Sequence, residues 1–265
     1  MINQEQTDKL KDILGSSQDI LLIMPNIADL DLFLAAYCFY SCLAPKKRIR
    51  LLSPSAKLSI PAVLKKLLDQ KIIETELGKE NLLISFPYQA EQVDKVSYYI
   101  GEEQQRFYLT IKPKKGFAPL DSQQVEFFYA GAQIDLIFLW GVKNLDDLQQ
   151  LYLAYEDLYQ GKNNFVATIN HHFVPDFGNL NLEIAPASSY CEAILAILTK
   201  IDSQNETFLS QSNLPSLLLY GIESKTKALQ AKEVGAETFT SVASLLKLGA
   251  KRYFKLAGSK KIKDS

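Results

Sequence analysis

Two groups of residues in this sequence have types and spacing that chemistry could use. His171 and His172 stand side by side in Val166-Ala167-Thr168-Ile169-Asn170-His171-His172-Phe173, and they are the two histidines of the chain. Neighbouring imidazoles can act as a metal ligand and a phosphate contact, whereas an exposed loop can carry the same pair with no task. Far upstream, Asp29-Leu30-Asp31 sets two carboxylates two residues apart. They fall between an apolar run and a helical pattern, where open α/β sheets place their ligands. Helix capping and a favourable contact with the helix dipole are the simpler reading, and explain one Asp more readily than two.

Both groups need elements to hold them. Ile20 to Met24 and Ile134 to Trp140 are near-continuous apolar runs, as in strands buried on both faces of a parallel sheet, and Arg48 to Leu52 and Phe165 to Ile169 also read as strands. Helices are expected over residues 5–14, from Asp29 to about Cys42, from Pro61 to Gln70 and from about Leu145 to Tyr159. Three more are expected from about Ser188, from Leu214 to Ile222 with Pro215 in the first turn, and from Thr238 to Leu248. Leu180 to Ile184 reads as a short edge strand. Between Asn81 and Tyr129 the helical period disappears, and four aromatic or β-branched runs recur: 82–86, 96–100, 107–111 and 125–129. Gly101-Glu102-Glu103-Gln104 links the middle two as a hairpin turn would. The expected fold class is α/β, a mostly parallel sheet flanked by helices, with an antiparallel β insertion at about 80–130.

Composition narrows the partners. A formal net charge of -1 supplies no global field for nucleic acid or an anionic membrane, so any polyanion site must be local. Apolar residues at 47% suffice for a large core. Cys38, Cys42 and Cys191 form no ladder of spacings, which points to a reducing interior. The polar start Asn3-Gln4-Glu5-Gln6 is unlike a signal peptide, and the apolar stretch Leu32 to Ala44 is short for a membrane span. A cytoplasmic location and no membrane partner are the expectation. The tail 251–265 is basic and is read as a frayed, solvated end.

Several segments, taken in order, resemble the DHH phosphoesterases, the family of RecJ-type exonucleases, nanoRNases and family II inorganic pyrophosphatases. Ile23 to Ala36 is similar to a first motif of a strand, His-x-x-x-Asp-x-Asp and a helix; Ile134 to Gly141 resembles a second, a strand ending in Asp. Ile169 to His172 resembles the name-giving Asp-His-His, Pro186 to Ser189 the small-residue helix start that follows, and Leu218 to Thr226 a fourth motif. The resemblance implies one DHH-like α/β domain over 1–250. It also implies two divalent metals, usually manganese, that activate a water against a phosphate ester. By position, Asp29 would hold one metal, Asp31 and His171 the other, and His172 would face the phosphate.

The departures fall on that same centre. Pro25 stands where the first-motif His belongs, Gly141 at the bridging Asp, Asn170 at the first letter of the name and Lys225 at the fourth-motif Asp. A proline and a glycine offer no side-chain ligand, and a protonated lysine repels cations. Binding of manganese or magnesium is therefore expected to be weak or absent. Lys225 is expected to take the place of a metal and pair with Asp29 or Asp31. No Gly-Gly-His element is present, so the family's C-terminal substrate-binding domain is expected to be absent or vestigial. The leading reading is a degenerate, weak or inactive hydrolase kept as a binding or assembly module. Its aromatic insertion (Tyr98, Tyr99, Phe107, Tyr108, Phe127, Phe128, Tyr129) is either sheet core or a partner or homodimer surface. The alternative is a metal-dependent phosphoesterase acting on short oligonucleotides or nucleotide phosphates, with Asp176 or Glu223 as substitute ligands.

Overall fold

Short apolar strands set the layering. In a computed structural model describing residues 3–26, 29–55, 59–77, 81–89, 91–103, 105–130, 134–153, 155–160, 164–201, 209–210 and 212–255, they pair side by side in one direction. The sheet consists of β1 (Asp19–Ile23), β2 (Arg48–Leu52), β3 (Ile73–Glu74), β8 (Leu136–Trp140), β9 (Phe165–Asn170) and β10 (Leu180–Glu183). Its order is β10-β9-β8-β1-β2-β3 and all pairs are parallel. Strands buried on both faces need cover on both, which is why β8 is uncharged from end to end. β3 is only two residues long and escapes a periodicity reading; Arg50 of β2 clasps Glu74 across that edge.

Helix α2 (Leu30–Leu43) lies on one face of the sheet and is buried nearly all round, because α5 (Tyr190–Ile201) and α6 (Leu214–Lys225) pack on its far side. Phe39 meets Phe138 and Trp140 edge to face at centroid distances of 5.3 Å, a geometry favoured by the ring quadrupoles. α1 (Gln4–Ser16), capped reciprocally by Asn3 and Gln6, adds Leu10 and Leu14 to the same core. α7 (Ala236–Lys247) closes the layer through Leu245. Among the described residues no helix is long and apolar enough to cross a membrane.

Two expected helices differ. Pro61 to Gln70 forms a 3-10 turn at Leu64–Lys66; among the described side chains of this segment Leu64 and Leu68 are the buried ones, too little to hold a short helix. Leu145 to Tyr159 breaks into a 3-10 turn (Leu145–Leu148), α3 (Gln150–Leu153) and α4 (Glu156–Tyr159), with Gln149 at φ +49° between the first two. The end of the chain also departs from a frayed tail as far as residue 255. Arg252 pairs with the buried Glu223, Lys251 N donates to Ser216 Oγ at 2.9 Å, and Phe254 packs on Tyr220. A buried carboxylate needs a partner, and Arg252 supplies it. Residues 256–265 lie outside the described part.

Residues 78–132 form a separate compact unit. It contains two antiparallel ribbons, β4 (Asn81–Ser85) with β7 (Glu126–Ala130), and β5 (Val93–Gly101) with β6 (Arg106–Pro113). β5 and β6 pair as far as Gly101 and Arg106, in keeping with the hairpin expected there.

Gly221 explains how α6 approaches its neighbours. A Cβ there would lie 2.2 Å from Cys191 Sγ and 3.2 Å from Asp31 Oδ1, so no side chain fits without separating the helices. Gly221→Ala should lower the unfolding free energy by about 1–3 kcal/mol, read from chemical denaturation with an unchanged slope.

Candidate functional site

The C-terminal ends of β1, β8 and β9 deliver Pro25, Gly141, Asn170, His171 and His172 to one edge of the sheet, the edge at which α2 and α5 begin. Such an edge collects exposed helix N–H groups, and these decide what the two aspartates do.

Asp29 is the N-cap of α2, with Oδ1 accepting from Leu32 N at 2.7 Å. Its other oxygen, Oδ2, lies 2.5 Å from Lys225 Nζ at the end of α6. Both side chains are partly exposed, at 47% and 41%, so solvent screens much of the attraction. Burial opposes the Lys225 charge, but the hydrogen bond and charge of Asp29 outweigh it and raise the lysine pKa.

Asp31 does not face solvent. Its Oδ2 accepts from Tyr190 N at 2.7 Å and its Oδ1 from Cys191 N at 3.0 Å, so one buried carboxylate takes the first two free amides of α5. Both aspartates therefore cap helices, Asp29 its own and Asp31 a helix about 160 residues further along the chain. Burial is the largest influence on Asp31 and lifts its pKa to about 6, against the pull of the two amides. Tyr190 and Cys191 are not recognisable as its partners from the sequence. Their signal was the run Pro186-Ala187-Ser188-Ser189 before an apolar helix, which marks a helix start but not who caps it.

The histidines occupy the mouth of this arrangement. His171 Nε2 is 2.6 Å from Ala187 O, which makes Nε2 the protonated nitrogen of the neutral ring and leaves the Nδ1 lone pair as the available ligand. Burial, with the neighbouring cations, lowers the His171 pKa, although the carbonyl contact opposes this. His172 is exposed, adopts φ +64° and sets its ring 3.7 Å from that of His171.

Gly141, Pro25 and Asn170 are tightly enclosed. A Cβ on Gly141, itself at φ +65°, would lie 2.8 Å from Leu32 Cδ2 and 3.4 Å from Tyr190 Oη. Pro25 is buried and its carbonyl accepts from Ser53 Oγ at 3.4 Å. Asn170 is buried with neither side-chain polar atom partnered among the described residues. Glu223 is committed to Arg252, and Asp176 is exposed.

These residues do not fit a pair of divalent ions. Both Asp31 oxygens are engaged by amides, Asp29 is engaged by an ammonium, and a carboxylate at position 141 would collide with Leu32. Among the described residues no three His, Cys, Asp or Glu side chains gather as a metal would require.

No family model matches this sequence, and no curated protein matches it. Among solved structures, an exopolyphosphatase-related protein from Bacteroides fragilis is similar, with a TM-score of 0.61 and 14% sequence identity over 95% of this chain and 58% of that one. This chain thus spans little more than half the length of that protein. The likeness is one of fold.

Asp31 gives a signed pH effect. With a folded pKa of about 6 against an ordinary value of 3.8, the folded state binds the extra proton between those values. Stability from this group is full below about pH 4 and is lost as pH rises through 6, a fall of about 3 kcal/mol. Unfolding free energies of the wild type and Asp31→Asn, measured from pH 4 to 7, should show this fall in the wild type alone.

Proposed function

We propose that this chain is a degenerate DHH phosphoesterase-like protein, whose hydrolytic centre has been taken over by contacts within the protein, and that it serves as a binding or assembly module. The observation that carries this reading is the Lys225–Asp29 ion pair, with Lys225 standing where the resemblance expects a ligand carboxylate. Two metal ions held close together repel each other and need several carboxylates to offset that repulsion. Here one ammonium neutralises one carboxylate and the amide end of α5 solvates the other. Charge is balanced without an ion, and the site is spent on joining α2, α5 and α6.

The competing reading is a metal-dependent phosphoesterase acting on short oligonucleotides or nucleotide phosphates. Its support is the pair His171–His172, still side by side at the strand end with Nδ1 of His171 available. Calorimetric titration with manganese, followed by hydrolysis assays on a dinucleotide and on a nucleotide phosphate, separates the two. We expect no saturable binding at micromolar manganese and no turnover above the metal-only control. Micromolar binding with turnover that is lost in Asp29→Asn would overturn the proposal; Asp29 suits this control because it is half-exposed and outside the apolar core.

A further inference from the structure

The β5–β6 ribbon has two unlike faces. Cross-strand partners Val96 and Ile111, Tyr98 and Leu109, and Ile100 and Phe107 share one face, which carries no charge. The other face carries Lys95 opposite Lys112, Ser97 opposite Thr110, and Tyr99 opposite Tyr108. An uncharged face on a sheet normally lies against something, yet this one is open. Tyr98 is 69% exposed, Ile100 65%, Phe107 64% and Val96 57%. Tyr98 and Phe107 stack on each other at 5.2 Å, which stiffens the patch into a preformed apolar plate. A two-stranded ribbon is marginal alone in water, and contiguous apolar surface on this scale marks an interaction site.

Charge at the two ends of the ribbon selects the occupant. The tip carries Glu102 and Glu103 against Arg106. The base carries Lys95, Lys112, Lys114 and Lys115 against Glu91 and Asp94, with Lys112–Asp94 at 3.1 Å and Lys114–Glu91 at 2.6 Å. The ribbon is therefore acidic at its tip and basic at its base. A second ribbon laid face to face and antiparallel sets each acidic tip over the other's basic base, so the pattern is complementary to itself under a two-fold axis near Tyr98 and Leu109. The area is sufficient: these side chains expose roughly 600 Å² per copy, so two copies can bury up to about 1,200 Å², the low end for a specific interface.

We propose that the apolar face of the β5–β6 ribbon is a two-fold self-association surface that pairs two copies of this chain. It rests on the assembly part of the function proposed above. Its failure would leave the manganese result standing, because the ribbon and the sheet edge share no residue.

The test is sedimentation velocity of the full chain over a concentration series. The wild type should form a reversible dimer, and Tyr98→Glu with Phe107→Glu should weaken it at least tenfold while the far-UV spectrum stays unchanged. A charge swap guards against a folding artefact. Glu102→Lys with Glu103→Lys, and separately Lys114→Glu with Lys115→Glu, should each weaken self-association, and mixing the two proteins should restore a mixed dimer. A monomeric wild type at high micromolar concentration would mean that the face is covered by its own chain or by another protein, and would overturn the proposal. So would a dimer that tolerates the glutamate substitutions, or charge variants whose mixture stays monomeric.

Discussion

A buried carboxylate must find donors or surrender its charge, and the packing of Asp31 follows from that constraint. Its two oxygens hold the first amides of α5, while Gly221 gives α6 the room to close over Cys191 and the same carboxylate. One side chain near the start of α2 thereby ties together three helices on one face of the sheet. The geometry also accounts for Asp29 as the partner left for Lys225: Asp31 is already enclosed, and Asp29 alone turns an oxygen to the surface.

The same constraint recurs away from that edge. Glu192 is buried and accepts from Ser188 N at 2.9 Å and Thr238 Oγ1 at 3.0 Å, joining α5 to the start of α7. Glu223 is buried and takes Arg252, which anchors the chain beyond α7 onto α6. Three buried acids, held by two amides, by an amide with hydroxyls, and by a guanidinium, thus stitch the helical layer from α2 to residue 255. Removing a donor from such a group costs more than the hydrogen bond itself, because the orphaned charge stays buried.

Much of this fold is legible in the sequence, for physical reasons that also mark the limits. Strands such as β1 and β8 are buried on both faces and so announce themselves as uncharged runs, which makes the α/β class readable. The meeting of Lys225 with Asp29 is legible only through the resemblance, which sets Lys225 beside the two aspartates; no local pattern marks a lysine in the last turn of α6 as their partner. The Asp31 contact is not legible, because a partner about 160 residues away leaves no local trace. Nor is the break at Gln149, where no glycine or proline warns of a positive φ. The segment after Pro61 has a helical period, but period alone cannot count how many of those side chains reach the core. Alternation in the β5 and β6 runs shows which residues share a face, but not that Val96, Tyr98, Ile100 and Phe107 stand more than half exposed.

Both aspartates are engaged by the protein itself. Diffraction from crystals grown with millimolar manganese, using the anomalous signal of the metal, reads this at the site. No peak is expected between Asp29, Asp31 and His171, with Lys225 Nζ still on Asp29 and the Tyr190 and Cys191 amides still on Asp31. A manganese peak held by those three side chains, with Lys225 swung away, would contradict it.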